Sequence, residues 1–312
     1  MKSVYIHSAT SITNHETFDS SDITSFLSSA ASQSYDAIQP EHKKHIDART
    51  LRRASKLNKM ALSCTAKVMD LAQVDQLDAI IVGTGLGCMT DTKKFIDSSI
   101  LADPDALIPP AAFINSGHNA ISGQIALVLK NHGYNMTHVQ RSQSFDYALQ
   151  DAMLRIDEGD HKVLLGALDE KIDLLGDLAD ELNVPHFSKD KLAEGASFFI
   201  LSDRASSIEM VGTYQFPLED WPSKLKQRLT TQGIDQEESY THFLAQPLSG
   251  KISTEENVMD YGNTFGYHFS SPALGLHLAY DHLRSLKTAN TLSASVHLTA
   301  QNKVSVTVLR HV

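Results

Sequence analysis

The sequence contains very little cysteine and tryptophan, and it has no long runs of apolar residues. Its two cysteines, Cys64 and Cys88, are too few for a disulfide framework, so we expect a reduced protein with free thiols. No apolar stretch approaches the roughly 18 residues that a membrane helix requires, and the first residues do not read as a secretory leader. We therefore expect a cytoplasmic protein without a membrane span.

Positive charge is also scarce. The chain has 27 lysine and arginine residues against 37 aspartate and glutamate residues, a formal net charge of -10. Nucleic-acid binding needs a basic face that neutralises phosphates, so we expect no nucleic-acid partner. The one basic run, residues 49–59, is interpreted as a solvated helix face, with a docking patch as the alternative.

Strand and helix patterns alternate along the 312 residues, of which 42% are hydrophobic. This alternation favours an α/β architecture, and the length allows a large core. The predicted strands are 3–7, 79–83, 136–140, 162–167, 196–201, 210–215, 241–245, 293–298 and 304–309. The predicted helices include 54–71, 119–130, 144–156 and 272–286. A polar, irregular segment at 176–192 marks the expected seam between two halves, residues 1–180 and residues 181–312.

A glycine-rich turn follows the apolar strand in IIVGTGLGC, residues 80–88. It lacks the third glycine of a dinucleotide fingerprint, because Cys88 stands at that position. We interpret Cys88 as a buried structural thiol, since no histidine nearby would activate it. His42 and His45 have helical spacing for a metal pair, but no further ligand completes a site. The sequence therefore predicts neither a metal nor a cofactor.

The segment GYNMTHVQRSQSFDYALQDAM, residues 133–153, reads as a strand, a tight polar turn and an amphipathic helix. Its apolar positions 145, 148, 149, 152 and 156 form one helical stripe. Ser142 lies in the turn, where a helix N-terminus could activate a nucleophile or stabilise an oxyanion. A serine nucleophile also needs a general base, and the local sequence supplies none. The alternative is that Ser142 or Ser144 caps the helix.

Several motifs together resemble the β-ketoacyl synthases, over nearly the whole length and most strongly in the first half. They are VGTGLG (82–87), PPAAFINSGHNAISGQIALVLKNHGYNMT (109–137), ALQDAMLRIDEGDHKVLLGALDE (148–170) and EGASFF (194–199). Within them, GYNMT matches the family's G-P-N-x-T strand, and GALDE matches its G-G-x-[DE] turn. The resemblance implies a thiolase-like five-layer α/β/α/β/α fold built from two similar halves, with a shortened second half.

The three catalytic positions of the family are changed in this chain. An ungapped alignment places Ser142, flanked by Gln140 and Gln143, where the family has its nucleophilic cysteine. A shift of one residue would place Arg141 or Gln143 there. The family's first histidine lies in N-A-H-G-T, and the matching LAQPLSG places Gln246 at that position. The second histidine lies in T-G-H-x-x-G-A-A-G.

The segment FGYHFSSPALG matches this second histidine motif and places Tyr267 at the histidine, with His268 one step further on. Because all three groups are altered, the resemblance implies a non-catalytic subunit of the chain length factor type. Such subunits pair with an active β-ketoacyl synthase and shape its acyl tunnel in type II polyketide or fatty-acid-like synthesis. An aryl polyene pathway is the variant that the compact form, without a cysteine at the nucleophile position, suggests. Acyl carrier protein would then dock mainly on the partner subunit.

The resemblance also implies a dimer interface and tunnel wall between Phe113 and Asn119. The expected residues are Phe113, Ile114, Asn115, His118 and Asn119. Two enzymatic alternatives remain open at this point. One is a serine-dependent acyltransferase or thioesterase that uses Ser142 with His268 or His118 as the base. The other is a decarboxylase that makes starter units without condensing them.

Overall fold

The structure is a computed structural model that describes residues 2–29, 34–101, 110–181, 189–234, 240–244, 257–299 and 301–312. Within these residues the strands are β1 (Val4–Ile12), β2 (Ala79–Gly83), β3 (Tyr134–His138), β4 (Val163–Asp169), β5 (Gly195–Ser202), β6 (Ile208–Pro217), β7 (Tyr240–Leu244), β8 (Asn257–Asp260), β9 (Leu292–Leu298) and β10 (Lys303–His311). The α-helices are α1 (Ala48–Arg53), α2 (Lys56–Ala72), α3 (Met89–Ile96), α4 (Pro110–Ser116), α5 (Ala120–Leu129), α6 (Ser144–Glu158), α7 (Asp173–Glu181), α8 (Trp221–Thr231), α9 (Gly262–Phe265) and α10 (Ser271–Leu286).

The ten strands form one hydrogen-bonded sheet in the order β3-β2-β4-β5-β1-β6-β10-β9-β7-β8. Within each set of five, the strands follow the same order of third, second, fourth, fifth and first. The outer three strands of each set are parallel, and the inner pairs are antiparallel. β1 and β6 join the two sets through a short antiparallel contact. The topology is therefore an internal repeat, as the two similar halves of the sequence prediction require.

Buried apolar side chains form three clusters, one on the outer face of each set of strands and one between the two sets. The first lies between α2 and α5 on one side and the outer face of β1–β5 on the other. The second, between the two sets of strands, contains the apolar stripes of α6 and α10. The third lies between α8 and the outer face of β6–β10. Helices α6 and α10 thus occupy the central layer of an α/β/α/β/α arrangement, because both of their sides meet strands.

The register of the parallel strands brings several loops to one end of the sheet. Gly83 at the end of β2 pairs with His138 at the end of β3 and with Ala167 near the end of β4. The glycine-rich turn, the turn before α6 and the residues after β4 therefore emerge side by side. Loops at the carboxyl ends of parallel strands are where α/β proteins place their functional residues.

The main elements agree with the sequence prediction, although several bounds and one pairing differ. β1, for example, ends at Ile12 rather than at residue 7. β3 begins and ends two residues before the predicted strand 136–140. The predicted strands 196–201 and 210–215 follow each other in the chain, but β1 lies between them in the sheet. Part of the segment predicted to be irregular forms α7. The boundary between halves at residue 180 stays a prediction.

Candidate functional site: a ketosynthase-like centre

The turn before α6 carries the strained backbone of this centre. Residues Arg141–Gln143 form a single 3-10 turn between β3 and α6. Arg141 has a φ of 53°, which is left-handed backbone. Ser142 and Gln143 are buried, at 4% and 7% exposure, whereas Gln140 and Arg141 are exposed. A tight turn of this kind is how many enzymes present a nucleophile at a helix N-terminus, and here no cysteine occupies it.

Ser144 holds this turn in place. Its Oγ accepts a hydrogen bond from the Gln140 N–H at 2.8 Å. The same Oγ lies 2.8 Å from the carbonyl oxygen of Thr84 and 2.7 Å from that of Arg141. Ser144 is not the N-cap residue of α6, because Gln143 occupies that position and its side chain makes no capping hydrogen bond. Ser144 instead ties the start of α6 to the end of β2.

The end of β2 lies very close to the start of α6. A Cβ added at Gly83 would stand 2.7 Å from the carbonyl oxygen of Ser144, a distance that real Cβ atoms do not tolerate. Glycine is required here because any side chain would push the helix away from the strand. This close approach explains part of the glycine-rich motif without invoking a ligand.

Asp169 connects the glycine-rich turn to the start of α10. Its Oδ1 accepts hydrogen bonds from Thr84 Oγ1 at 3.0 Å, Gly85 N–H at 2.8 Å and Leu86 N–H at 3.3 Å. Its Oδ2 accepts from the N–H and the hydroxyl of Ser270, at 2.8 and 2.6 Å. The backbone N–H groups of Gly85 and Leu86 thus bind an internal carboxylate. That arrangement argues against a nucleotide phosphate in this turn.

Tyr267 and His268 lie where the sequence places the second altered histidine. Tyr267 is partly buried, and burial together with the Asp169 and Asp146 carboxylates raises the pKa of its phenol. His268 is 8% exposed, and its Nδ1 lies 3.7 Å from Asp169 Oδ2, too far for a hydrogen bond. Among the described residues this Nδ1 has no hydrogen-bond partner. The backbone N–H of His268 donates to Ser271 Oγ at 2.8 Å.

Phe269 occupies the space beside the glycine-rich turn. A Cβ added at Gly85 would stand 2.3 Å from Phe269 Cβ and 2.6 Å from its ring. The loop before α10 therefore packs directly on the turn after β2, and a side chain at Gly85 would separate them. Gly195, at the start of β5, is similarly placed, since a Cβ there would lie 3.2 Å from His268 Nε2. The side chains of Phe269 and His268 therefore occupy the space directly beside these two glycines.

A second buried carboxylate lies in the first turn of α6. Asp146 is 1% exposed, and its Oδ2 lies 3.1 Å from His297 Nε2 while its Oδ1 accepts from Ser305 Oγ at 3.0 Å. His297 is on β9 and Ser305 on β10, so this cluster also joins the two halves. Asp169 occupies the acidic position of the GALDE match to the family's G-G-x-[DE] turn, whereas Asp146 was not singled out from the sequence. The one available signal for Asp146 was a charged residue on the apolar face of a predicted helix.

The remaining predicted residues are distributed as follows. Phe113 and Ile114 of α4 are 62% and 58% exposed, and His118 and Asn119 are also exposed. Asn115 is buried. His118 lies over the glycine-rich turn, where a Cβ at Gly87 would be 2.7 Å from its ring. The tunnel and interface roles of these five residues stay predictions.

Three other sequence expectations concern Gln246, Cys88 and the histidine pair at His42 and His45. Gln246, predicted at the first altered histidine position, lies outside the described residues. Cys88 is confirmed as a buried thiol at 1% exposure, and burial raises its pKa to about 12. His42 uses both ring nitrogens in contacts with Ser63 Oγ at 2.8 Å and Gln39 Oε1 at 3.1 Å. Across the described ranges, no three His, Cys, Asp or Glu side chains are placed to hold a metal ion.

Exposed apolar side chains surround the edge strand β3. We call Met136, Val139, Tyr147 and Leu154 the edge patch; their exposures range from 37% to 51%. Among the strands that the structure describes, none pairs with the outer side of β3. Asp151 connects β3 to α6, since it lies 2.8 Å from His138 Nε2 and accepts from the Tyr134 hydroxyl at 3.2 Å. An unpaired strand flanked by apolar side chains is a typical protein-binding surface.

Glu170 provides a test of the electrostatics next to this centre. The carboxyl is buried, its Oε1 accepts from the Thr90 N–H at 2.7 Å, and its Oε2 has no partner among the described residues. Burial raises the pKa of Glu170 above its ordinary value of 4.5. As pH rises from 4.5 to that raised value, the unfolded chain loses this proton before the folded chain does. Stability should therefore fall with rising pH over this interval.

We expect Glu170→Gln to remove this part of the pH dependence, because glutamine does not ionise. Urea unfolding at pH values from about 5 to about 9 would measure it, and the variant should gain stability relative to the wild type as pH rises. Glu181→Gln, which changes an exposed carboxylate on α7, is the matched control. Parallel pH profiles for the wild type and Glu170→Gln would contradict the assignment.

Comparisons with known proteins identify the family of this chain. A family model for the N-terminal domain of β-ketoacyl synthases matches residues 27–187, more than half of the chain. A search of curated proteins finds no match. Among the part of the chain that the structure describes, no helix is both long and apolar enough to cross a membrane.

Solved structures share the fold over almost the entire chain. The ishigamide ketosynthase/chain length factor is 13% identical, with a TM-score of 0.79 over 99% of each chain. The ketosynthase ApeO in complex with its chain length factor ApeC from Xenorhabdus doucetiae is 11% identical, with a TM-score of 0.75 over 100% of this chain and 98% of that one. A β-ketoacyl synthase from Burkholderia phymatum is 12% identical, with a TM-score of 0.76 over 100% of both. The chain therefore belongs to the β-ketoacyl synthase family and has its thiolase-like α/β fold.

Proposed function

We propose that this chain is a non-catalytic, ketosynthase-like subunit of the chain length factor type. It pairs with an active β-ketoacyl synthase and helps to shape the pocket for the growing acyl chain in polyketide or fatty-acid-like synthesis. The observation that carries the proposal is the turn before α6, which retains the shape of a nucleophile turn without a cysteine. Arg141, Ser142 and Gln143 occupy it instead.

The location of the two cysteines supports this proposal. Cys64 lies within α2 and Cys88 precedes α3, and both are buried. Burial raises the pKa of each thiol, so neither is a ready thiolate. Decarboxylative condensation by this family needs an acylated cysteine, and this chain would have to obtain one from a partner. A heterodimer in which the partner supplies the nucleophile satisfies that requirement.

The edge patch supports the pairing step. Met136, Val139, Tyr147 and Leu154 would leave water if another strand paired with β3, and so would the unpaired backbone groups of that strand. Carrier-protein docking is assigned mainly to the partner, since an acidic carrier is repelled by a chain of net charge -10. An aryl polyene pathway is the variant we favour, on the ground of the compact sequence without a cysteine at the nucleophile position.

Co-expression with an active β-ketoacyl synthase from the same genome tests the proposal. We expect size exclusion with multi-angle light scattering to give a stable 1:1 complex. We also expect this complex to elongate carrier-bound acyl chains, and elongation should be lost when the present chain is omitted. A self-sufficient homodimer that condenses or hydrolyses acyl thioesters by itself would contradict it.

Ser142→Ala separates this proposal from a serine-dependent acyltransferase or thioesterase. Ser142 is 4% exposed, so its hydroxyl offers little surface to a substrate. We therefore expect Ser142→Ala to leave the elongation rate of the complex within about twofold of the wild type. If Ser142 were a nucleophile, its loss would instead lower the rate by several orders of magnitude. The same preparations, assayed for malonyl-carrier decarboxylation by the isolated chain, test the starter-unit decarboxylase alternative.

A further inference from the structure

Arg141 has a backbone conformation that its side chain does not favour. Its φ of 53° lies in the left-handed region, where a Cβ crowds the following carbonyl. Five other non-glycine residues among the described residues have positive φ, and each has an ordinary explanation. Gln73, Lys130 and Lys287 end helices α2, α5 and α10, a common place for such backbone. The other two are asparagines in turns, Asn290 and Asn302.

Arg141 alone of these six precedes a helix, and asparagine or glycine would fit its backbone better. Its guanidinium is also unpaired. The residue is exposed, and within the described ranges no hydrogen bond or ion pair involves its side chain. Only its backbone carbonyl is used, by Ser144. When a residue keeps a strained backbone and its side chain makes no contact within the chain, the side chain is a candidate for binding another molecule.

The position of Arg141 indicates which external group it meets. It lies between two members of the edge patch in the sequence, two residues after Val139 and six before Tyr147. A subunit that covers the edge patch would therefore also cover or closely approach this side chain. An arginine enclosed by an interface needs an anionic partner, since burying it alone is costly.

We propose that Arg141 forms an ion pair with a carboxylate of the partner subunit at the end of β3, and that this pair helps to select the partner. The inference rests on the proposed function, because the partner is the subunit that pairs with β3. A planar guanidinium binds a carboxylate with two parallel hydrogen bonds, which adds geometric selectivity to the apolar contact. The partner surface that fits is thus apolar opposite β3 and acidic opposite the turn before α6.

Four variants of the co-expressed complex test the ion pair. Arg141→Glu is expected to weaken association by roughly 30-fold or more, because it sets two carboxylates against each other. Arg141→Ala keeps the strained backbone without the guanidinium and should also weaken association and reduce its salt dependence. Arg141→Lys keeps the charge and should lose the least. Arg52→Glu, at an exposed arginine of α1, makes the same charge change elsewhere and should bind as the wild type.

Arg141→Gly distinguishes a binding role from a purely structural one, because it should change the stability of the chain and its association with the partner in different directions. Glycine relieves the left-handed strain, so the isolated chain should unfold at a temperature equal to or above that of the wild type. Association with the partner should nevertheless weaken. A residue that only shaped the turn would lose or keep both properties together.

The outcomes separate this inference from the proposed function. A complex that forms normally with Arg141→Glu and Arg141→Ala overturns the ion pair and leaves the pairing of subunits intact. Equal losses for Arg141→Glu and Arg52→Glu also overturn it, since net charge rather than position would then be responsible. If the wild-type chain forms no complex with any ketosynthase, both the ion pair and the pairing are overturned.

Discussion

Replacing Asp169 with asparagine is expected to lower the free energy of unfolding by about 3 kcal/mol. The carboxylate is 4% exposed and accepts hydrogen bonds from three groups of the glycine-rich turn and two of Ser270. An asparagine has the same shape, but one of its two ends is an NH₂ group that would face N–H and hydroxyl donors. At least one buried donor would then lose its acceptor.

Urea unfolding of the isolated chain measures this loss, and Asp190→Asn is the control because Asp190 is exposed. Hydrogen exchange gives a second readout. Either the amides of Gly85 and Leu86, which bind Oδ1, or the amide of Ser270, which binds Oδ2, should exchange faster in Asp169→Asn, since the NH₂ group replaces one of these two oxygens. A stability loss no larger than that of the control would contradict the bridging role of Asp169.

Replacing Leu154 with glutamate is expected to weaken the association of the two subunits by about 100-fold or more. Leu154 is 51% exposed in the edge patch and lies one turn of α6 from Asp151, which contacts β3. In the complex a glutamate there would be an unpaired charge inside an apolar interface, at a cost of roughly 3 kcal/mol. The isolated chain should be unaffected, because the position is already exposed to water.

Multi-angle light scattering of co-purified chains at decreasing concentration measures this effect. Leu286→Glu is the matched control, because Leu286 is 44% exposed and ends α10, away from β3. If both variants form the complex at the wild-type concentration, the edge patch is not the interface. The proposed pairing through β3 would then be wrong.

The sequence was sufficient to predict the strongly patterned elements. The stripe of Phe145, Ala148, Leu149, Ala152 and Ile156 is buried throughout, with none more than 1% exposed. The helix 272–286 and the strand 79–83 were located to within one residue, because their apolar periodicity and flanking residues leave little freedom. The resemblance to β-ketoacyl synthases supplied the five-layer arrangement, which periodicity alone could not give.

Other features depend on contacts between residues far apart in sequence. β1 lies between β5 and β6 in the sheet, although β5 and β6 follow each other in the chain. The short helices α3 and α4 carry weak apolar patterns, and α7 falls in a segment that reads as polar. The hydrogen bonds of Asp169 join residues 84–86 to Ser270, and no local sequence pattern predicts contacts between residues so far apart in the chain. The strain at Arg141 depends on how Ser144 ties the turn, which sequence spacing does not reveal.

The two buried carboxylates also have an electrostatic consequence for the central layer. The N-terminus of a helix carries a partial positive charge of about half a unit. Asp146 lies in the first turn of α6, and Asp169 binds the N-cap residue of α10. Each of these two helix ends is therefore neutralised by an anion that belongs to the chain. An anionic substrate group, such as a thiolate or a malonyl carboxylate, would find little positive potential left there. The partial charges of these helix ends are used within the chain, where they help to hold its two halves together.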